Sequence, residues 1–234
     1  MSVRSEWVEL GVEDSTTMRA WVARPAGEPP TRGLLVFHEA FGVNPHIRDV
    51  TERFAESGFI AIAPELFHRT LPGFEGSYTD FPAAMPHLQA ITEQGLERDV
   101  RAAYGWLDRA GVAGNAAAVG YCLGGRVAFV ASSTVPLRAA ASYYGGNIPP
   151  LLGRAAQLSG PILFFWGGLD HHIPEEQREA VVKATGAAGK PFVNVVFSDA
   201  DHGFFCDARA TYEPSAAAQA WSLTRAFFDA YCPR

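Results

Sequence analysis

Short apolar runs alternate with longer segments along most of this chain, and that alternation restricts the possible folds more than any other feature. Runs of this length and composition are typical of strands buried on both faces of a sheet. They occupy residues 33–38, 59–63, 116–119, 138–144, 161–166 and 192–197. Helices are expected between and after them, at residues 46–57, 91–110, 124–132, 149–157, 174–187 and 214–230.

Two further strands are expected near the start of the chain. Residues 6–10 and 17–24 alternate between apolar and polar side chains, as half-buried strands do. Together with the later alternation, they predict an α/β fold in which a mostly parallel sheet is flanked by helices on both faces. In such sheets, functional side chains collect at the carboxyl ends of the strands.

Residues 66–90 do not follow the alternation. They contain prolines and aromatic residues without a clear period. A connection this long inside a compact domain is usually functional, so a lid over a site and a plain insertion with short helices both remain open. No linker-like composition interrupts the chain, and a single domain is therefore expected over residues 1–234.

Composition narrows the classes of partner and compartment. The formal charge of −6 disfavours nucleic acid as a partner. The start of the chain lacks the apolar core of a signal peptide, and no apolar run reaches membrane-spanning length. A cytoplasmic protein that binds a small molecule, with no membrane partner, is expected; the oligomeric state is left open.

The three cysteines, Cys122, Cys206 and Cys232, are widely spaced and odd in number. No C-x-x-C pair is present, so the spacing gives no indication of zinc. We therefore expect no metal and no cofactor, and free thiols in a reducing compartment.

The stretch Gly120-Tyr121-Cys122-Leu123-Gly124 resembles the G-x-S-x-G turn that carries the serine nucleophile of many hydrolases. Here the central residue is cysteine, which follows an expected strand and precedes an expected helix. A thiolate at a helix N-terminus is a competent nucleophile. The alternative is a small apolar residue that fills a buried turn.

Two later strand ends carry the groups that a thiol nucleophile needs. Asp170 follows the strand 161–166, and His202 follows the strand 192–197. The order nucleophile, acid, histidine is the one that this architecture requires. His202 would take the proton of Cys122, and Asp170 would fix the histidine tautomer.

Other acids and histidines lie near the same strand ends. Asp199 and Asp201 are alternative acids, although Asp201 is the direct neighbour of His202, which disfavours a carboxylate–imidazole contact. His171 and His172 flank Asp170 and are read as loop residues near the mouth of the site.

The segment His38 to Gly42 follows the strand 33–38. In folds of this type that loop supplies one amide of an oxyanion hole, and the residue after the nucleophile supplies the other. These two amides are those of Ala40 and Leu123. Glu39 would then lie near the nucleophile, where a plain esterase needs no ionisable group; an exposed or ion-paired loop acid is the alternative.

Several stretches together resemble the dienelactone hydrolases (carboxymethylenebutenolidase type) of the α/β-hydrolase superfamily. They are HEAFGVNPHIRDVTERFAESGFIAIAPELFHR, VGYCLGGRVAF, YYGG, WGGLDHHIP and DADHGFF. The resemblance implies an α/β-hydrolase fold and a triad of Cys122, His202 and Asp170. It also implies that Glu39 hydrogen-bonds or deprotonates Cys122, and that Phe41 and Tyr144 line the substrate pocket.

The chain departs from the dienelactone-cleaving members at the residues that hold the substrate carboxylate. Cys206 stands where those enzymes have an arginine, and the 66–90 segment has Arg69 as its only arginine. Arg69 and Arg209 are the candidates that remain for this contact. We therefore expect hydrolysis of a lactone or activated ester through a thioester acyl-enzyme. The alternatives are a thioesterase or acyltransferase on the same fold, and a non-catalytic binding module.

Overall fold

A computed structural model describes residues 2–27 and 30–234. Its centre is one eight-stranded sheet, with the strand order β1-β2-β4-β3-β5-β6-β7-β8. The strands are β1 (Val3–Gly11), β2 (Thr17–Pro25), β3 (Arg32–Phe37), β4 (Phe59–Pro64), β5 (Ala116–Tyr121), β6 (Ala139–Tyr143), β7 (Ile162–Gly167) and β8 (Phe192–Phe197).

Strand direction divides the sheet into two parts. β1 pairs antiparallel with β2, and β2 pairs antiparallel with β4. From β4 to β8 every pairing is parallel. All residues of β3 to β7 are buried, as expected of strands covered on both faces, whereas β8 at the open edge is half exposed. The mostly parallel sheet predicted from the sequence is confirmed.

The part of the chain that the structure describes has six α-helices beside the sheet. They are α1 (Pro45–Glu56), α2 (Phe81–Ala90), α3 (Glu93–Arg109), α4 (Leu123–Thr134), α5 (Glu175–Ala187) and α6 (Pro214–Tyr231). The expected helix at 149–157 is a 3-10 helix, Pro149–Gln157. None of the helices in the described residues combines the length and the apolar character needed to cross a membrane.

Local sequence explains where most of these helices begin. The Asn44 side chain accepts from the amide of Ile47 at 3.2 Å, and Thr92 accepts from the amide of Gly95 at 3.0 Å. Such caps satisfy amides that have no partner inside the helix. α4 differs, since its N-cap is Cys122 and no side chain caps it.

Residues 66–90 form an insertion that contains α2. The sequence allows short helices here but shows no clear helical period, since Pro86 lies within α2 and proline normally interrupts a helix. The insertion packs on the loop after β3: the amide of Gly76 donates to the carbonyl of Phe41 at 3.0 Å. Arg48 of α1 also binds Glu75 at 2.6 Å. Residues 66–90 therefore cover the loop after β3.

Candidate active site

Cys122 lies in the tight turn between β5 and α4. Its backbone has φ 55° and ψ −113°, a conformation that costs a residue with a side chain on the order of 1–3 kcal/mol. The glycines on either side make the turn possible. A Cβ at Gly120 would stand 1.8 Å from the carbonyl oxygen of Gly124, and one at Gly124 would stand 2.0 Å from that of Phe37. The turn therefore requires both glycines and presents a strained Cys122 at the sheet edge.

The N-terminus of α4 begins directly after Cys122. The amides of Gly125 and Arg126 are directed back to the carbonyl of Cys122, and the helix dipole favours negative charge at this end. In residues 2–27 and 30–234, the amides of Ala40 and Leu123 have no acceptor. Free amides next to a nucleophile are the components of an oxyanion hole.

Asp170 and His202 are joined by a direct contact across the ends of β7 and β8. The Nδ1 atom of His202 lies 2.8 Å from Oδ2 of Asp170. The other oxygen of Asp170, Oδ1, accepts from the amides of His172 at 2.8 Å and Ile173 at 3.2 Å. Burial acts to raise the pKa of Asp170, but these hydrogen bonds outweigh it and lower the pKa.

His202 is a buried imidazole between Cys122 and Asp170. Burial acts to lower its pKa, but electrostatic interaction with Cys122 and the hydrogen bonds to Asp170 and Cys122 together raise it to about 10. The ring packs 5.1 Å from that of Tyr144 and 5.2 Å from that of His172. The structure therefore brings together Cys122, His202 and Asp170, the three residues selected from the sequence.

The competing acids and histidines are placed differently. Asp199 and His171 are exposed. Asp201 accepts from the amide of His202 at 2.6 Å, so it holds the backbone of this loop and not the imidazole. Asp201 was disfavoured as the acid of the triad because it directly precedes His202, and it makes no contact with the imidazole here.

Glu39 is buried, with 1% of its surface exposed, and its bonding differs from expectation. Its Oε1 atom accepts from Nη1 of Arg209 at 3.0 Å, so the ion pair is with Arg209 and not with Cys122. The Oε2 atom has no hydrogen-bond partner within the described residues. Arg209 reaches Glu39 across Gly203, whose φ is +80° and where a Cβ would stand 2.4 Å from the guanidinium.

His38 fixes the backbone of the Glu39 loop. Its Nε2 atom accepts from the amide of Leu66 at 3.1 Å, and its Nδ1 atom lies 2.5 Å from the carbonyl oxygen of Glu39. Nδ1 therefore carries the proton and donates. Burial lowers the pKa of His38 to about 4, so the imidazole stays neutral. This role of His38 could not be predicted, because hydrogen bonds from a side chain to distant backbone atoms produce no sequence pattern.

The predicted pocket residues lie deeper than expected. Phe41 is 3% exposed, and its ring meets that of Tyr78 from the insertion at 4.7 Å. Tyr144 is wholly buried behind His202, and its hydroxyl has no partner among the described residues. Both side chains form walls of the site in this state, with little surface open to a ligand.

Arg69 is engaged elsewhere. Its guanidinium binds both oxygens of Asp99, at 2.9 and 2.8 Å, and its Nε atom binds Asp14 at 2.7 Å. The structure thus does not bring Arg69 to the site, because two carboxylates hold its guanidinium. Arg209 is the candidate arginine that the structure does place there.

Cys206 occupies a wholly buried position close to Glu39 and Tyr78. Burial and the charge of Glu39 raise the pKa of the thiol to about 12, against a smaller opposite effect of Tyr78. The cysteine that replaces the expected arginine is therefore a neutral, enclosed group. All three cysteines are free thiols, as expected.

Known proteins resemble this chain in sequence and in fold. The Dienelactone hydrolase family matches residues 18–232. A candidate carboxymethylenebutenolidase of Synechocystis sp. is 32% identical over 223 residues, which cover 89% of this chain and 90% of that protein. One of Azospirillum brasilense is 34% identical and covers 94% of this chain and 96% of its own length. The crystal structure of a candidate dienelactone hydrolase from Klebsiella pneumoniae superimposes with a TM-score of 0.90 at 28% identity, covering 99% of this chain and 100% of that one.

Proposed function

Because the chain belongs to the dienelactone hydrolase family and has its α/β-hydrolase fold, it is a hydrolase of ester bonds, and we propose that it cleaves a lactone or carboxylic ester through a thioester on Cys122. The observation that carries this proposal is the Asp170–His202 pair, hydrogen-bonded at 2.8 Å, with the imidazole next to Cys122. A thiol with an oriented base is the arrangement that covalent acyl transfer needs.

Before the first step His202 holds the proton of Cys122, since its pKa of about 10 keeps the imidazole charged, and the Cys122 thiolate then attacks the carbonyl carbon of the substrate. Asp170 orients the imidazole and stabilises its charged form. The carbonyl oxygen becomes an oxyanion that receives hydrogen bonds from the amides of Ala40 and Leu123. Collapse of this intermediate expels the alcohol, which takes the proton from His202, and leaves a thioester on Cys122.

In the second step water attacks the thioester. His202 removes a proton from the water, and the same two amides again hold the oxyanion. Collapse of this second intermediate breaks the bond between carbon and sulfur and releases the acid, while His202 keeps the proton taken from water beside the Cys122 thiolate. For a lactone, the acid and the alcohol leave as one molecule.

Glu39 and Arg209 are proposed to adjust the charge around Cys122. Arg209 neutralises one oxygen of Glu39 at 3.0 Å, and the free Oε2 atom is available to accept a proton from the thiol if the side chain turns. Arg209 is also the cation proposed to meet an acidic group of the substrate. This assignment differs from the family pattern, because the position of the usual arginine is held by Cys206.

The test compares Cys122→Ala with the wild-type protein on a set of simple lactones and aryl esters. We expect kcat/KM on the best substrate to fall by at least about 10³-fold, since the oxyanion hole and binding alone retain only a small part of the catalysis. Cys232→Ala, which removes a buried thiol at the C-terminal end of α6, is the matched control and should retain activity.

An unchanged rate in Cys122→Ala would contradict the proposed mechanism and leave the family assignment in place. Hydrolysis followed in the presence of an added alcohol or amine separates hydrolase from acyltransferase, because a transferase would yield the new ester or amide as its main product.

A further inference from the structure

Three side chains meet beside the proposed nucleophile, and we call Glu39, His46 and Cys206 the buried trio. They come from the loop after β3, the first turn of α1 and the loop after β8. One potential ligand atom of each lies within 4.8 Å of the others. Their exposed fractions are 1%, 7% and 0%, so the whole cluster is buried.

Two of these side chains have free polar atoms. In the described part of the chain, Oε2 of Glu39 and Nε2 of His46 have no hydrogen-bond partner. A buried polar atom without a partner costs about 1–3 kcal/mol, and two in one cluster indicate a ligand that satisfies both. We propose that the buried trio binds a zinc ion through Glu39 Oε2, His46 Nε2 and Cys206 Sγ.

The other polar atom of His46 and the other oxygen of Glu39 each lie near a charged side chain. His46 Nδ1 lies 3.5 Å from Oδ1 of Asp207, and Glu39 Oε1 accepts from Arg209 at 3.0 Å. Zinc-binding histidines almost always donate their second ring nitrogen to an acceptor such as a carboxylate, and zinc-binding carboxylates have hydrogen-bond partners of their own. The rings of Tyr121 and Phe205 flank the imidazole at 6.4 and 6.1 Å. The ligands are therefore oriented before an ion binds.

The donor set selects the ion. One thiolate, one imidazole and one carboxylate suit Zn²⁺ better than Mg²⁺ or Ca²⁺, which prefer oxygen ligands. Tetrahedral zinc with these bond lengths separates its ligands by about 3.5 Å, so ligand atoms that lie within 4.8 Å of one another must approach by about 1 Å at most. A water molecule or a substrate atom would complete the fourth position.

Zinc at this position would hold Glu39 through the oxygen that the proposed mechanism leaves available to Cys122. Hydrolysis should then be slower in the zinc-bound protein and recover after chelation. This consequence rests on the proposed function, whereas the binding of zinc does not.

The binding test uses Cys122→Ala throughout, so that the Cys122–His202 pair cannot hold the metal. Cobalt(II) serves as the probe, because a thiolate ligand gives it a charge-transfer band in the near ultraviolet. We expect the band to saturate at one equivalent of cobalt. It should disappear in Cys122→Ala/Cys206→Ser and remain in Cys122→Ala/Cys232→Ser. Absence of the band in Cys122→Ala, or its survival in the Cys206→Ser variant, would overturn the proposal.

A second variant avoids any change in the core. Asp207 is 73% exposed, so Asp207→Ala should fold normally. In the Cys122→Ala background it should weaken zinc binding, measured by calorimetry, by about 10-fold, as loss of the carboxylate behind a histidine ligand does. Unchanged affinity would mean that His46 does not bind the ion in this orientation.

The last arm measures aryl-ester hydrolysis by the protein with Cys122 intact. Zinc should inhibit it, a chelator should restore it, and Cys206→Ser should reduce the inhibition. If cobalt binds as expected but zinc leaves hydrolysis unaffected, the site stands and the proposed role of Glu39 fails. If the wild-type protein hydrolyses neither the lactones nor the aryl esters, the proposed function fails. The cobalt result still decides whether the metal site exists.

Discussion

Two buried carboxylates lie close to the candidate nucleophile, and they are bonded in opposite ways. Asp170 uses both oxygens, one on His202 and one on two backbone amides. Glu39 uses one oxygen on Arg209 and leaves the other without a partner among the described residues. Both are almost fully buried, at 7% and 1% exposure. Burial is thus not what distinguishes them.

The difference shows how a fold separates a fixed acid from an adjustable one. Moving Asp170 would break three hydrogen bonds at once, so it can only orient His202. Moving Glu39 would exchange one ion pair for another partner and would satisfy an oxygen that is now unpaired. We infer that Asp170 sets geometry and Glu39 responds to substrate, proton or metal.

The largest effect is expected from Asp170→Asn. The amide keeps the size of the side chain but stabilises the wrong tautomer of His202, and kcat should fall by about 10⁴-fold. Steady-state kinetics on the best ester from the screen measures this. The control is Asp199→Asn at an exposed position of the next loop, which should retain the wild-type rate. A loss below about 10-fold in Asp170→Asn would mean that this carboxylate does not orient the base.

A smaller effect is expected from Arg209→Met. It leaves the buried Glu39 charge without its cation, and the free energy of unfolding should decrease by about 2–3 kcal/mol. Denaturant unfolding measures the change. Glu39→Gln/Arg209→Met removes both charges and should recover most of the loss. If the double variant is no more stable than the single one, Glu39 and Arg209 are not energetically coupled.

Glu39→Gln should reduce kcat/KM by about 10-fold, since it removes the adjustable charge but leaves the base and its orienting acid intact. The pH–rate profile should change in shape, and the rate of thiol alkylation should change with it. Equal losses in Glu39→Gln and Asp170→Asn would erase the proposed distinction between the two carboxylates.

The smallest effect concerns stability against pH. The pKa of His202 is raised from its ordinary value of 6.5 to about 10 in the folded protein. A raised pKa adds stability that is complete below pH 6.5 and disappears as the pH rises through 10. The difference in unfolding free energy between wild type and His202→Gln should therefore shrink over that range. The same range should show a weaker trend in Cys122→Ala, where the neighbouring negative charge is gone.

The sequence predicted those parts of the molecule that depend on local pattern or on strand order. Each parallel strand is an apolar run, and the ends of neighbouring parallel strands meet at one edge of the sheet. For that reason Cys122, Asp170 and His202 could be selected although they are far apart in the chain. The turn around Gly120 and Gly124 was also visible, since only glycine fits such close backbone contacts.

The partners of Glu39 could not be found in this way. Arg209 reaches it through a turn that depends on the positive φ of Gly203, and no periodicity signals such a turn. In the sequence, His46 is only the first residue of an expected helix. Cys206 indicates only that an arginine of the dienelactone-cleaving enzymes is absent. Their meeting depends on how α1 packs beside the last loop, which is a tertiary contact and not a sequence pattern. The expectation of no metal rested on cysteine spacing, and spacing does not indicate a cluster that forms through tertiary contacts.

If Cys122 carries the acyl group, rapid-quench mass spectrometry of the intact protein should detect it. During turnover of an activated aryl ester, we expect a mass increase equal to one acyl group, located by peptide mapping on the segment that contains Cys122 and absent in Cys122→Ala. Full hydrolytic turnover without any acyl adduct under acid quench, or an adduct on another residue whose removal abolishes activity, would contradict it.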